Sequence, residues 1–340
     1  MKYSVKWRLA DLHPDKPVKV FTTFSCGGGS SMGYKRAGFQ VIGNCEIDPK
    51  INELYQRNHH PKYNFCMDIR ELVKKEDLPE ELYGIDILDG SPPCSTFSMA
   101  GDREKAWGKK KVFREGQKEQ TLDDLFFTFL DLVEKLKPKA VVAENVTGLL
   151  KGNAKGYVNL IIKRFKELGY NVQIFLLNSA FMDVPQRRER VFFIANRMGW
   201  PKLKIEINEP VIPFGKIRTK DGGRKPKEGT NTEWLIRNAA KETNCSMIQK
   251  RLGRKLKFYN QTILHDNEVP MTLTAGTIPL RACDGTYCTV EDITAIQTFP
   301  VDYDYGKRSA NTACYVCGMS VPPNMMAHIA DVLWSQWFQK

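Results

Sequence analysis

Four clusters in this 340-residue chain have the residue types and spacing of reactive or ligand-holding chemistry. The run Gly90-Ser91-Pro92-Pro93-Cys94-Ser95-Thr96-Phe97-Ser98 sets a thiol behind two prolines. Proline fixes its own φ, so Cys94 sits on a rigid turn, a good seat for a nucleophile. A thiol reacts only when its thiolate is stabilised and reachable, and taken alone the same turn suits an inert cysteine. Glu144-Asn145-Val146 follows the apolar run 140–143, which brings the carboxyl out partly desolvated, as a proton donor or acceptor. Gln186-Arg187-Arg188-Glu189-Arg190 immediately precedes another apolar run, 191–195. Alternation along an extended strand sends Arg188 and Arg190 to one side, where guanidinium groups can hold a carboxylate and a bound base.

The fourth cluster is Ser25-Cys26-Gly27-Gly28-Gly29-Ser30-Ser31-Met32-Gly33, which follows the β-branched run 18–24. Glycines there let backbone approach a ligand where side chains would block it. No Gly-Lys-Ser or Gly-Lys-Thr is present, which disfavours ATP chemistry, and the spacing is not G-x-G-x-x-G. Glu46, at the end of the next apolar run, is placed to accept from ribose hydroxyls, and Asp68, just before Ile69, from an adenine amino group. A nucleoside-type cofactor is implied; a structural turn flanked by solvated acids is the alternative.

The elements that must position these groups alternate through the first 200 residues. Runs 18–24, 41–47, 85–88, 140–143, 172–177 and 191–195 read as strands. Leu122, Leu125, Phe126, Phe129, Leu132, Val133 and Leu136 line one helix face that ends at Pro138, and residues 156–168 form another helix closing at Gly169. Repeated βα units of this kind predict an α/β fold around a largely parallel sheet. From Trp200 the texture turns Pro-, Gly- and Lys-rich, with a short basic helix near 234–257, and a final amphipathic piece, 324–338, is expected to pack back on the first domain. The expected division is a catalytic domain of 1–199 and 305–340, and a small domain of 200–304. Residues 101–120 hold 7 basic and 4 acidic residues without apolar period, the pattern of a long loop.

Apolar residues at 42% and charged residues at 26% exclude wholesale disorder, and no stretch has the ~18 uncharged residues of a membrane span. Nine scattered cysteines and a start without an apolar leader exclude a secreted disulfide framework, so a reducing, cytoplasmic setting is expected. The formal charge is +12, of which residues 201–265 supply +9, from 15 Lys or Arg against 6 Asp or Glu. Such a region is either a solvated face or a site for a polyanion. Cys283, Cys288, Cys314 and Cys317 include one C-x-x-C, but the first spacing is unlike a zinc knuckle and no metal site is expected.

Assembled in this order, the motifs resemble those of the DNA cytosine C5-methyltransferases over nearly the whole chain. Gly27-Gly28-Gly29 resembles the cofactor motif, Pro93-Cys94 the nucleophile motif, Glu144-Asn145-Val146 the acid motif and residues 186–190 the arginine motif. Residues 289–300 and 318–323 resemble the last two motifs, and the interval before Thr289, where the family keeps its target-recognition domain, contains the basic excess. The resemblance implies a Rossmann-like S-adenosylmethionine-dependent methyltransferase fold, mixed but mostly parallel, plus a smaller target-recognition domain. It implies that Cys94 adds to C6 of a flipped cytosine in duplex DNA while Glu144, Arg188 and Arg190 serve the ring. S-adenosylmethionine would be held by Phe24, Ser25, Gly27, Gly28, Gly29, Glu46, Ile47, Asp68, Ile69, Pro92, Leu125 and Ser320. DNA would meet Ser95, Ser98, Arg188 and Thr272, with Trp107 a wedge or a surface anchor. A monomer acting beside a separate restriction endonuclease is the implied setting.

Thr22-Thr23 stand where the family has Asp-Leu, and Met319 where it has an asparagine that holds the methionine part of the cofactor. An RNA (tRNA) cytosine methyltransferase would use the same thiol chemistry. A non-catalytic DNA-binding protein of this fold is the rival from another class, opposed by the intact set Cys94, Glu144, Arg188 and Arg190. A nicotinamide-dependent oxidoreductase rests on the glycine loop alone and conflicts with the Pro-Pro-Cys turn.

Overall fold

The computed structural model describes residues 1–93, 125–151, 154–253, 261–306 and 309–339. Cys94, Ser95, Ser98, Trp107 and the basic loop 101–120 lie outside the described residues. Seven strands form one sheet: β1 (Lys19–Thr23), β2 (Gln40–Cys45), β3 (Tyr63–Phe65), β4 (Ile87–Gly90), β5 (Ala140–Val146), β6 (Asn171–Asn178) and β7 (Glu189–Asn196). Their spatial order is β3-β2-β1-β4-β5-β7-β6. All neighbours pair parallel except β7, which runs antiparallel to both β5 and β6.

This mixed, mostly parallel sheet is Rossmann-like and wrapped by helices on both faces. Val20, Ile87, Val142, Phe192 and Ile194 point to one face, covered by α1 (Gly29–Arg36) and α10 (Pro323–Leu333). Phe21, Leu88, Val141, Ala143 and Phe193 point to the other, covered by α3 (Ile69–Lys74), α4 (Leu125–Leu136) and α5 (Ala154–Glu167). Burial on both faces is why the strands read as apolar runs rather than as an alternation.

Strand order reverses beside β1: the chain builds outward to β2 and β3, then returns to lay β4 on the other side of β1. Ligands of open α/β sheets bind at such a switch point, outside the carboxyl ends of the strands. The glycine-rich loop leaves β1 there and Ser91-Pro92-Pro93 leaves β4 there.

Local chemistry sets the helix limits. Asp48 accepts from the backbone N–H groups of Lys50 and Ile51 and is followed by Pro49, which starts α2 (Pro49–His59). Gly169, at φ 81°, supplies the left-handed residue after α5. The C-terminal helix packs on the sheet beside α1, and a π-helical turn at Trp334–Phe338 continues it.

Several expected elements differ in the structure. The strand expected over 41–47 stops at Cys45, leaving Glu46 just beyond it. Strand β3 was not anticipated, because three half-buried residues are too few to show a period. The single basic helix near 234–257 is two, α6 (Asn231–Asn238) and α7 (Cys245–Leu252), because Asn244 caps a new start and Gly253, at φ 63°, ends it. These two helices share a small core with Ile263 and Leu280 of the short parallel pair β8 (Ile263–Leu264) and β9 (Leu280–Arg281). Another core joins Phe214, Leu264 and Leu273 to Met32 and Ile51 through α8 (Val290–Gln297) and α9 (Ala310–Met319). Among the described residues no helix is long and apolar enough to cross a membrane.

The α1–α10 contact is close enough to test. A Cβ on Gly33 would lie 2.4 Å from Met326 Cβ and 2.7 Å from the Pro323 carbonyl oxygen. Alanine gains about 1 kcal/mol of helix propensity over glycine, while overpacking against backbone costs ~1–3 kcal/mol. Gly33→Ala is therefore expected to lower the urea midpoint of unfolding; a raised midpoint would show that the two helices can part without cost.

Candidate active site

The glycine-rich loop leaves β1 through an unusual backbone. Phe24 (φ 51°), Cys26 (φ 47°) and Gly28 (φ 82°) are all left-handed, and for the first two that conformation costs on the order of 1–3 kcal/mol each. Glu46 holds the loop: its carboxylate accepts from the Cys26 N–H at 2.8 Å and from the Asp48 N–H at 3.0 Å. Burial pushes its pKa up, against the pull of those backbone donors. Each oxygen thus has its own backbone donor. Ile47 is half-buried beside it. Asp68 is turned onto its own helix, capping Arg70 N–H at 2.8 Å and pairing with the Arg70 guanidinium at 3.0 Å. Ile69 and Leu125 are buried in the core that Phe24 packs against.

The C-terminal segment closes directly over this loop. A Cβ on Gly27 would lie 2.3 Å from Val316 Cγ1, and one on Gly29 would lie 2.0 Å from the Val321 carbonyl oxygen. Gly28 is pressed equally closely by His59, a buried ring stacked on Tyr55 and held neutral by desolvation. Tyr303 donates its hydroxyl to the Gly27 carbonyl at 2.8 Å. Ser320 is buried and donates to the Val316 carbonyl, whereas Met319 is exposed. A narrow cleft results, walled by Phe24, Ser30, Asp89, Ser91, Met319 and Ser320.

On the far side of β4, Glu144 and Asn145 lie in the last three residues of strand β5. The Glu144 carboxylate is buried and pairs with Arg190 Nε at 2.8 Å. Arg188 takes another partner: its Nη1 donates to the Gly318 carbonyl at 3.1 Å and its Nε has none among the described residues. Burial, with Arg190 beside it, lowers the Arg188 pKa to about 9 despite the opposing charge of Glu144. Asn145 donates to the Pro92 carbonyl at 3.2 Å, tying the acid-bearing strand to the buried residue two positions before Cys94. Thr272, half-buried, donates to the Arg187 carbonyl at 2.7 Å.

The buried contacts of Gln186 and Gln297, and the acid Asp89, have no counterpart in the roles expected above. Gln186 donates to Gln297 Oε1 at 2.6 Å and accepts from the Leu273 N–H at 3.0 Å, while Gln297 donates to the Ser320 carbonyl at 2.7 Å. This buried relay joins the arginine segment, α8 and the Ser320 turn. Asp89, the penultimate residue of β4, is buried in the cleft wall, where Tyr34 donates to it at 3.1 Å. Its signal was the one that marked Glu144, an acid closing an apolar strand.

Residues 18–335 match the family model described as C-5 cytosine-specific DNA methylase. The chain belongs to the C-5 cytosine-specific DNA methylases. The type II methyltransferase M.NgoPII of Neisseria gonorrhoeae is 28% identical, over 93% of this methylase and 95% of its own length. M.FnuDI of Fusobacterium nucleatum, also a type II methyltransferase, is 37% identical over 60% of this chain and 54% of its own. Among solved structures, the Dnmt2 methyltransferase of S. pombe superposes with a TM-score of 0.63 at 15% identity, covering 94% of this methylase and 98% of that chain. A prophage-encoded E. coli protein gives 0.66 at 20% identity, covering 94% and 99%. The seven-stranded fold is thus shared where little sequence is.

Asp89 gives this methylase a pH signature. Burial, with Glu144 nearby, raises its pKa to about 7, although the Tyr34 and Ser30 hydroxyls pull it down. The unfolded chain releases the same proton near ~3.9, so stability falls as pH climbs between the two values. Asp89→Asn never ionises; its advantage over the wild type in urea midpoint is expected to grow from about pH 4 to pH 7 and then level. An advantage independent of pH would show that Asp89 titrates normally.

Proposed function

We propose that this methylase transfers a methyl group from S-adenosylmethionine to C5 of cytosine at a specific sequence in double-stranded DNA, through a transient bond from Cys94 to C6 of a flipped base. The observation that carries the reading is Glu144, buried and paired to Arg190, next to an asparagine that holds the turn leading into Cys94. The cleft beside it fits the cofactor: backbone N–H groups at the start of α1, the Glu46 carboxylate and the hydroxyls of Ser25, Ser30 and Ser320 suit a nucleoside with a charged amino-acid tail.

Cytosine C5 is too weak a nucleophile to take a methyl group unaided. The Cys94 thiol loses its proton to solvent and its sulfur bonds to C6, which moves the ring's π pair toward C5. Glu144 hydrogen-bonds or protonates N3, where the charge develops, and Arg190 keeps the carboxyl in place. S-adenosylmethionine, when bound, supplies a methyl on a sulfonium. Carbon 5 takes that methyl, then gives up its proton to a base, and the returning pair expels the Cys94 thiolate. In this reading Arg188 binds the ring from the same side as Arg190.

Turning the base out costs on the order of a few kcal/mol, which contacts to the DNA backbone must offset. Residues 201–265, with their net +9, together with Thr272, Ser95 and Ser98, supply those contacts in this reading. Residues 200–304 form the recognition unit, and 1–199 with 305–340 the catalytic one. The enzyme acts as a monomer on DNA. The "type II" in its relatives' names supports a separately acting restriction endonuclease with the same recognition sequence.

Cys94→Ser is expected to abolish turnover while leaving duplex affinity within about tenfold. A duplex carrying 5-fluorocytosine should arrest as a covalent complex whose crosslink mass spectrometry places on Cys94. Retained turnover in the serine variant, or a crosslink elsewhere, would overturn the assignment. Bisulfite sequencing of DNA from expressing cells should show one methylated word; methylation of tRNA offered in competition, with the duplex untouched, would move the substrate to RNA.

A further inference from the structure

Asp89 is unused by the chemistry above, yet it occupies a costly position. Among the described residues no lysine, arginine or histidine pairs with it; its partners are hydroxyls of α1, Tyr34 at 3.1 Å and Ser30. It forms part of the cleft wall with Phe24, Ser30, Ser91, Met319 and Ser320. Met319, exposed on the opposite lip, is apolar and offers no hydrogen bond to a charged tail beyond a weak sulfur acceptor. Thr22, the ladder partner of Asp89 in the β1–β4 pairing, faces α1 as Asp89 does and spends its hydroxyl on Ser31. Glu46 is already taken up by backbone N–H groups, so among the described residues Asp89 is the carboxylate that lines this cleft wall without a cation or a backbone donor.

A buried carboxylate held by two hydroxyl donors is preorganised for a cation that brings its own N–H groups. The tail of S-adenosylmethionine carries an α-carboxylate and an α-ammonium. The first suits the backbone N–H groups that begin α1; the second suits an acid. We propose that the Asp89 carboxylate receives the α-ammonium of S-adenosylmethionine and is a specificity-determining residue for the amino-acid end of the cofactor. This assignment rests on the reading of the cleft as the cofactor site.

Equilibrium calorimetry tests it without turnover. The probes are S-adenosylhomocysteine and its desamino analogue, which lacks only the α-ammonium, each titrated into the full-length wild type and Asp89→Asn. The wild type is expected to bind S-adenosylhomocysteine at least about tenfold more tightly than the desamino analogue, the worth of one charge-assisted hydrogen bond. Asp89→Asn should lose about that factor for S-adenosylhomocysteine and little for the analogue, so that the two ligands bind it almost equally. The wild-type comparison stands even if the variant folds poorly. Equal losses for both ligands, or a wild type indifferent to the ammonium, would overturn the role of Asp89 while leaving the cofactor site in place. Failure of S-adenosylhomocysteine to bind the wild type at all would overturn the cofactor reading, and the Asp89 assignment with it.

Discussion

A carboxylate buried at the end of a strand requires a partner, and the direction of one strand decides whether Glu144 has one. In a parallel sheet every strand begins at the edge opposite the ligands, so a residue at the start of a strand arrives far from the chemistry. Strand β7 runs the other way. Its first residues meet the last residues of β5, pairing Arg190 with Val146 in the ladder and setting its guanidinium on Glu144. Removing one member of such a pair leaves a buried charge uncompensated, at a cost of about 3–5 kcal/mol. The reversal is thus what allows an arginine-rich segment preceding a strand to serve an acid that ends one.

The second constraint is closure. Segment 316–321 crosses the glycine-rich loop so tightly that Gly27 and Gly29 have no room for a Cβ. It is kept there by side chains remote in sequence: Gln297 holds the Ser320 carbonyl, Gln186 holds Gln297, and Arg188 holds the Gly318 carbonyl. Gln186 also takes the Leu273 N–H, so the same residue ties the cleft wall to the segment containing Thr272. A buried amide with both ends satisfied rigidifies its surroundings, whereas one left half-satisfied would cost on the order of 1–3 kcal/mol. The geometry of the cleft and of the segment containing Thr272 is therefore set through shared hydrogen bonds rather than independently.

Much of this was legible in the chain, and the reasons differ residue by residue. Apolar runs between helical periods gave the sheet, because strands buried on both faces admit few polar residues. Glu144 and Arg190 were legible as chemistry because each adjoins such a run. What periodicity does not encode is strand order or direction, so the contact between them could be expected but not its cause. The Gln186–Gln297 bond joins residues 111 apart, and nothing in the local pattern of either marks it. Asp89 was legible in principle but lay beside the louder Pro-Pro-Cys signal. The two helices read as one near residue 240 show the usual weakness of charge-rich stretches, where capping by Asn244 outweighs a continuous pattern.

Charge is divided in this molecule, and the division follows from what each region meets. Three buried acids, Glu46, Asp89 and Glu144, stand at the carboxyl edge of the sheet in a chain whose net charge is +12. Glu144 helps to raise the Asp89 pKa, and buried acids of this kind persist only where cations or hydrogen-bond donors answer them. Arg190 answers Glu144. Glu46 is answered by backbone N–H groups. Asp89 has only hydroxyls, and it is the one whose charge a ligand would complete. In the proposed reading, a cofactor with a sulfonium, an ammonium and one carboxylate carries net positive charge and is drawn to Asp89, while the basic stretch 201–265 attracts the DNA backbone. In that reading one positively charged protein serves a small cation and a polyanion together, because the acids of the sheet edge are buried while the strongest regional excess of lysine and arginine lies in 201–265.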